Sequence, residues 1–181
     1  LLAVAGPMSG ANAPNGQAMV RGVQLYLDQV NANGGVHGQR IELLTFDDQG
    51  DPDVARQQAQ AIVNHDRILA VVGHYSSATT QAASPIYAAA ALPALTGSAT
   101  ADAITADNRW YFRTIFSNHD QSVFLANYVQ QVMGYTSADI VYDTNLYGTT
   151  LATTFEETFT GLGAHIQRKW RLDSTDQQLP E

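Results

Sequence analysis

Short apolar runs alternate with longer amphipathic stretches along most of this chain. The apolar runs have the length of buried strands, and they predict strands at 1–5, 41–46, 68–72, 93–95, 111–114, 139–142 and 164–170. Between most of these runs, apolar residues recur at intervals of three and four, which is typical of helices that cover a sheet. The alternation predicts an α/β protein in which a parallel sheet carries helices on both faces.

Helix signals support this interpretation. The first predicted helix begins about Gly16 and ends at Asn33, where two following glycines give a C-terminal signal. The residues expected on its buried face are Met19, Val23, Tyr26, Leu27 and Val30. Asp51 and Pro52 predict the N-cap and the first residue of a second helix. Pro85 is expected to break or restart the alanine-rich helix around it.

The loops that follow the predicted strands are rich in glycine and hydroxyl groups. In an open parallel sheet, ligands bind beyond the carboxyl ends of the strands. The strand at 68–72 runs into Gly73, and Ser76 and Ser77 then precede a predicted helix. The N–H groups and a serine hydroxyl at such a helix start can hold a carboxylate or another small anion without lysine or arginine.

Composition excludes several classes of function. The 181 residues are 45% hydrophobic and 14% charged, which suits a folded protein. The net charge of −8, with nine scattered lysines and arginines, argues against nucleic acid as a partner. The absence of cysteine excludes disulfides, a thiol nucleophile and a zinc-thiolate site. No apolar run reaches the length of a membrane span, and because the chain starts without Met, a leader could have been removed or left out.

Five loop segments carry a family resemblance. They are 4–10 (VAGPMSG), 46–52 (FDDQGDP), 73–77 (GHYSS), 96–100 (TGSAT) and 145–148 (NLYG). In order and spacing they resemble periplasmic binding proteins of the leucine/isoleucine/valine type, and the resemblance spans essentially the whole chain. It implies the type I periplasmic binding protein fold, which has two similar α/β lobes that close on a ligand.

The resemblance also implies a division of the chain. We expect residues 1–118 to form the first lobe and residues 119–181 to begin a second, incomplete lobe, with the boundary near Ser117 to Gln121. Family members are considerably longer, so an incomplete protein is expected here. The polar residues 173–181 lie where another helix would start.

The resemblance assigns the candidate ligand-binding residues. Ser76 together with Ala99 and Thr100 would hold the α-carboxylate and α-ammonium groups of the ligand, and Tyr147 would cover it. Ser77 and Ser98 are neighbours that complete the predicted set. One segment departs from the family, because residues 13–16 (APNG) stand where an aromatic residue commonly packs on the ligand side chain.

Each candidate also has a purely structural interpretation. Ser76 could serve only as an N-cap, Thr100 only as a turn or cap residue, and Tyr147 only as a half-buried packing residue. Arg113 is interpreted as a partner at the lobe interface or hinge.

The acidic and histidine residues raise metal and catalytic alternatives. Asp47 and Asp48 could bind a cation, but we expect them to organise their loop, so neither a metal nor a cofactor is predicted. His74 stands two residues before Ser76, where productive serine–histidine geometry is rare, and no Gly-x-Ser-x-Gly motif or phosphate-binding loop is present. His74 is therefore expected to be a buried support of its loop, and the protein is not expected to be an enzyme.

The predicted function is that of a solute receptor. The resemblance implies a protein at the periplasmic or extracellular face of the membrane that captures an amino acid or a related small carboxylate between two lobes. Its partner would be an ABC permease. The alternative is the ligand-sensing ectodomain of a membrane signalling receptor with the same fold, in which the partner is the rest of that receptor.

Overall fold

The computed structural model describes residues 1–172. These residues divide into two compact units, the first formed by Leu1–Ala99 with Ala103–Ile115 and the second by Thr100–Asp102 with residues 116–172. The helix start predicted within residues 173–181 lies outside the described residues.

The first unit is a parallel sheet with the strand order β2-β1-β3-β4-β5. The strands are β1 Leu2–Gly6, β2 Leu43–Asp47, β3 Ala70–Gly73, β4 Ala94–Thr96 and β5 Tyr111–Arg113. The flanking helices are α1 Ala13–Ala32, α2 Pro52–Val63 and α3 Ser77–Ala89. The core of the unit includes Ala3, Val4, Ala5 and Val71 of the sheet together with Ala55, Ala59 and Ile62 of α2. The predicted parallel α/β architecture is confirmed.

The register of the parallel strands brings successive loops to one edge of this sheet. In the pairing of β1 with its neighbours, Gly6 lies beside Asp47 and Ala5 lies beside Gly73. Thr96 at the end of β4 pairs with Arg113 in β5. Because all five strands run in one direction, the loops that follow β1, β2, β3 and β4 leave the sheet from the same edge.

The second unit contains α4 Asn118–Asn127, the π-helical turn Tyr128–Val132, β6 Ser137–Asp143, α5 Leu146–Gly161 and β7 His165–Leu172. β6 and β7 form a two-stranded parallel sheet, and α4 packs against α5. Ala126, Phe159 and Ala164 form the centre of its core. Ser117 caps α4 in a capping box with Asp120, as its hydroxyl accepts from the Asp120 N–H at 3.1 Å.

Two helix predictions were wrong. The helix α3 continues through Pro85. The proline removes the usual hydrogen-bond donor for the Gln81 carbonyl, but Pro85 and Gln81 both lie on the exposed side of the helix. Tyr26 was expected on the buried face of α1 but is 67% exposed, whereas Leu27 is buried. Adjacent helical residues point about 100° apart, so only one of the two can face the sheet.

Candidate ligand-binding site

A glycine fixes the path of the chain as it leaves β3. Gly73 has φ +145°, and a Cβ at this position would lie 2.1 Å from the carbonyl oxygen of Ala5 on the neighbouring strand. Only glycine combines this backbone conformation with such a close approach. The chain can therefore turn directly off the sheet into the loop that carries Ser76.

Ser76 is the N-cap of α3. Its Oγ accepts a hydrogen bond from the Thr79 N–H at 3.1 Å, and Thr79 Oγ1 donates to the Ser76 carbonyl at 3.1 Å. Because Oγ serves the cap as an acceptor, its own proton can still be given to Thr79 Oγ1, 2.9 Å away, or to an anion. Capping and ligand contact are thus chemically compatible. Ser77, the first residue of the helix, is buried.

The loop after β4 is joined to the loop after β3 by hydroxyl groups. The buried Thr96 donates to the carbonyl of His74 at 3.0 Å and accepts from the N–H groups of Ser98 and Ala99 at 3.2 and 3.0 Å. The Ser98 hydroxyl donates to the carbonyl of Tyr75 at 2.6 Å. Since that bond uses its proton, Ser98 Oγ could meet a ligand only as an acceptor.

A fully buried histidine lies beneath both loops. His74 Nδ1 is 2.7 Å from Asp48 Oδ2, and its Nε2 is 2.9 Å from the hydroxyl of Tyr87. A carboxylate only accepts, so Nδ1 carries the hydrogen of the first bond, and in the neutral imidazole Nε2 then accepts from the Tyr87 hydroxyl. The other oxygen of Asp48 accepts from the Gly50 N–H at 2.9 Å. As expected from the sequence, His74 and Asp48 are structural supports of their loops.

Two buried tyrosines complete this network. Desolvation raises the pKa of Tyr87 and of Tyr111 far above the usual range, so both hydroxyls keep their protons. Tyr111 donates to the carbonyl of Gly73 and accepts from the His74 N–H at 3.0 Å. The polar groups under the loops are thus paired with one another.

Asp47 holds the loop after β1. Its Oδ1 accepts from the N–H groups of Met8, Ser9 and Gln49 at 2.8, 3.3 and 2.9 Å. Burial alone would raise the pKa of this carboxyl, but hydrogen bonds from the Ser9 hydroxyl and from these three N–H groups outweigh it, and the pKa is lowered.

This lowered pKa predicts a pH-dependent contribution of Asp47 to stability. A carboxyl with a folded-state pKa below its unfolded value stabilises the fold above the unfolded value, and the contribution is lost as pH falls through the folded value. We therefore expect Asp47→Asn to lower the urea midpoint at pH 7 and to differ less from the parent protein at pH 3. Asp66→Asn, at an exposed carboxylate, is the control. A deficit in Asp47→Asn that is the same at both pH values would contradict the assignment.

The second unit holds the other two candidate residues. Thr100 is buried, and its carbonyl accepts from the Asn118 N–H at 2.7 Å. Tyr147 lies in the first turn of α5, whose N-cap Asn145 accepts from the Gly148 N–H at 2.8 Å. The phenol of Tyr147 is partly open to solvent, with 41% of the residue exposed. The loop was predicted to extend to Gly148, but it is about one helical turn shorter, because α5 begins at Leu146 directly after its N-cap Asn145.

The candidate residues therefore fall into two groups. Ser76, Ser77, Ser98 and Ala99 lie together on the joined loops of the first unit, whereas Thr100 and Tyr147 belong to the second. Their roles toward a ligand stay predictions. Arg113, predicted as a partner at the lobe interface or hinge, donates to Thr105 Oγ1 at 2.6 Å within the first unit.

No local pattern in the sequence identifies the residues that support these loops. Thr96, Tyr87, Tyr111 and Asn118 each carry bonds to the candidate loops, yet none stands out by its type or spacing. A weak signal existed for two of them, because Thr96 opens the matched segment 96–100 and Asn118 begins a helix.

No metal-binding group of three or more histidine and acidic side chains occurs among the described residues. Within residues 1–172, no helix is long and apolar enough to cross a membrane.

A parallel α/β unit whose loops at one sheet edge offer a helix N-terminus and hydroxyls is typical of a lobe that binds a small solute. The chain belongs to the periplasmic binding protein family, whose model matches residues 2–178. The resemblance seen in the sequence is therefore confirmed.

Individual relatives agree with this assignment. The chain is 32% identical over 179 residues to a leucine-, isoleucine-, valine-, threonine- and alanine-binding protein of Pseudomonas aeruginosa, covering 98% of this chain and 48% of that protein. It is 35% identical over 152 residues to the Leu/Ile/Val-binding protein of Escherichia coli, covering 83% of this chain and 41% of that one. The chain spans less than half the length of these curated relatives.

A solved structure shows the same fold. The branched-chain amino acid transporter substrate-binding protein of Streptococcus pneumoniae, in complex with isoleucine, superposes with a TM-score of 0.86 at 26% identity. The match covers 98% of this chain and 51% of that one. The type I periplasmic binding protein fold expected from the sequence is confirmed.

Proposed function

We propose that the full-length protein captures an amino acid, or a related small carboxylate, outside the cytoplasm and delivers it to an ABC permease. The observation that carries the proposal is the N-terminus of α3, where Ser76 caps the helix as an acceptor and retains a proton to donate. A ligand carboxylate placed there would receive the Ser76 proton and the favourable field of the helix N-terminus.

The ammonium group of an amino acid needs acceptors, and the neighbouring loop offers them. The Ser98 hydroxyl donates to the Tyr75 carbonyl, and its oxygen lone pairs can still accept. The Ala99 N–H donates to Thr96 Oγ1, so the Ala99 carbonyl is the group of that residue that can accept from an ammonium. An anchor of donors at Ser76 and acceptors at Ser98 and Ala99 matches a zwitterion. Thr100 and Tyr147 complete the proposed site, as the family resemblance implies.

The relatives narrow the proposed ligand to aliphatic and small hydroxylated amino acids. The Pseudomonas aeruginosa protein is described as binding leucine, isoleucine, valine, threonine and alanine, and the Streptococcus pneumoniae structure contains isoleucine. Residues 13–16 supply no aromatic ring to pack on a ligand side chain. We therefore infer an aliphatic or small hydroxylated amino acid whose side chain packs without an aromatic ring from this segment.

A binding role fits the site better than catalysis. Both ring nitrogens of His74 are engaged, by Asp48 and by Tyr87, so neither can act as the base that a nucleophilic serine requires. Family membership supports a periplasmic location and a permease partner. Nothing in the described residues or in these relatives favours the signalling-ectodomain alternative.

Substitutions at Ser76 test the proposal directly. We expect Ser76→Ala in the full-length protein to weaken amino-acid binding by about 1–3 kcal/mol, or roughly 5- to 150-fold, which is the scale of a charge-assisted hydrogen bond. L-Leucine, L-isoleucine, L-valine, L-threonine and L-alanine are screened by thermal shift, and the best binder is then titrated calorimetrically.

Two further variants separate ligand contact from capping. Ser76→Thr keeps the cap and the hydroxyl, so it should retain both stability and binding. Ser76→Asp keeps the cap but presents a negative charge to the carboxylate, so it should retain stability and lose binding. Equal affinity of Ser76→Ala and the parent for every bound amino acid would rule out the contact.

A further inference from the structure

Asn118 is fully buried and forms hydrogen bonds to both candidate residues of the second unit, Thr100 and Tyr147. Its backbone N–H donates to the Thr100 carbonyl at 2.7 Å. Its side-chain Nδ2 donates to the Tyr147 carbonyl at 3.1 Å and also to Thr150 Oγ1. One residue at the start of α4 is therefore bonded to the backbone of Thr100 and of Tyr147.

The partners fix the orientation of this amide. Thr150 Oγ1 donates to the Leu146 carbonyl at 2.8 Å, so it meets Asn118 as an acceptor. A carbonyl and an accepting hydroxyl both require a donor, and rotating the amide by half a turn would place Oδ1 against two acceptors. Nδ2 must therefore face α5, and both of its hydrogens are used there.

The remaining atom of the amide shows that packing alone does not account for Asn118. Its Oδ1 is buried and has no donor partner among the described residues. A buried unpaired acceptor is unfavourable, and an apolar side chain of similar size would fill the same space without one. The two donated bonds are the part of the residue that an apolar side chain could not replace.

We propose that the Asn118 side chain is a positioning residue that sets Tyr147 for ligand contact. The inference rests on the proposed function. The bond from Nδ2 to the Tyr147 carbonyl fixes the first turn of α5, and that turn determines where the phenol lies. Thr100 is held by the backbone N–H of Asn118, which most substitutions preserve, so side-chain variants test the Tyr147 bond alone.

The test uses Asn118→Leu in the full-length protein, with L-leucine as the titrated probe. The leucine fills the buried space but donates no bonds to Tyr147 or Thr150. We expect its affinity for L-leucine to fall at least about tenfold, the equivalent of one lost hydrogen bond to a buried acceptor.

Ser122→Ala is the matched control. Ser122 is a buried residue of the same helix, and its hydroxyl donates to the Leu151 carbonyl of α5 at 3.0 Å, away from the candidate ligand residues. It should alter thermal stability but leave the affinity within about twofold. If Asn118→Leu does not fold, Thr150→Val, with Thr150→Ser as its rescue, removes one partner of the amide at lower risk.

A double-mutant cycle distinguishes positioning from a general structural effect. If Asn118 acts through Tyr147, Asn118→Leu should lose much less affinity in a Tyr147→Ala background than in the parent. Fully additive losses, or an Asn118→Leu variant that binds as tightly as the parent, would overturn the inference and leave the proposed function standing. A parent protein that binds none of the five amino acids would overturn the proposed function, and the role of Asn118 would fall with it.

Discussion

Gly73→Ala is expected to lower the free energy of unfolding by about 2–6 kcal/mol, as the sum of backbone strain and of overpacking at about 1–3 kcal/mol each. The new Cβ would lie 2.1 Å from the Ala5 carbonyl oxygen, and φ at this position is +145°. The obstructing atom belongs to the backbone of β1, which is paired on both sides in the sheet, so it cannot rotate away as a side chain would. Urea unfolding of parent and variant measures the difference.

The same substitution elsewhere in the first unit should have the opposite sign. Gly22 lies on the exposed side of α1, and a Cβ there meets nothing within 4 Å. Gly22→Ala should therefore stabilise the protein by about 0.5–1 kcal/mol through helix propensity. A Gly73→Ala variant that unfolds at the same urea concentration as the parent would show that the close approach of β1 and β3 is not rigid.

Local chemistry explains the parts of the fold that the sequence predicts well. The N-cap at Asp51 depends only on its own side chain, which accepts hydrogen bonds from the N–H groups of Asp53 and Val54 at 2.8 and 3.0 Å. The serine at the start of α3 is equally local, because Ser76 caps Thr79 three residues later. Strands with near-continuous apolar runs are recognisable because a parallel sheet buries both of their faces.

The supports of the candidate site depend on contacts that no local pattern contains. His74 is hydrogen-bonded to Asp48 and to Tyr111, which lie 26 and 37 residues away in the sequence. Asn118 lies 29 residues from Tyr147. A histidine, a tyrosine or an asparagine in a sequence gives no indication of which distant partner it will face, so these roles emerge only when the strands are placed in order.

The two wrong helix predictions have the same origin. Helix propensity predicts a break at Pro85. The cost of the hydrogen bond that Pro85 removes depends on whether the unpaired Gln81 carbonyl faces solvent, and this is decided by tertiary structure. The position of Tyr26 relative to Leu27 is likewise decided by which side of α1 meets the sheet. Periodicity identifies a helix more reliably than it identifies the margin of its buried face.

His74→Ala should lower the free energy of unfolding by about 3–5 kcal/mol, which is the scale for leaving a buried charge, here the Asp48 carboxylate, without its main hydrogen-bond partner. Asp48 would keep its place in the core with the Gly50 N–H as its remaining hydrogen-bond donor in the network described, and Tyr87 would lose the acceptor for its hydroxyl. Urea unfolding measures the loss. The variant should also weaken the proposed binding of amino acids, because the His74 carbonyl that accepts the Thr96 hydrogen bond belongs to the disturbed loop.

Asp48→Asn separates the network from the charge. An asparagine can still pair with His74, because the imidazole can take the other tautomer, accept at Nδ1 and donate from Nε2 to the Tyr87 hydroxyl. We therefore expect Asp48→Asn to lower the free energy of unfolding by only about 1 kcal/mol. His119→Ala, at an exposed histidine, should change stability by less than about 0.5 kcal/mol. If His74→Ala proved no more harmful than His119→Ala, the buried network could not be what holds the two candidate loops of the first unit in place.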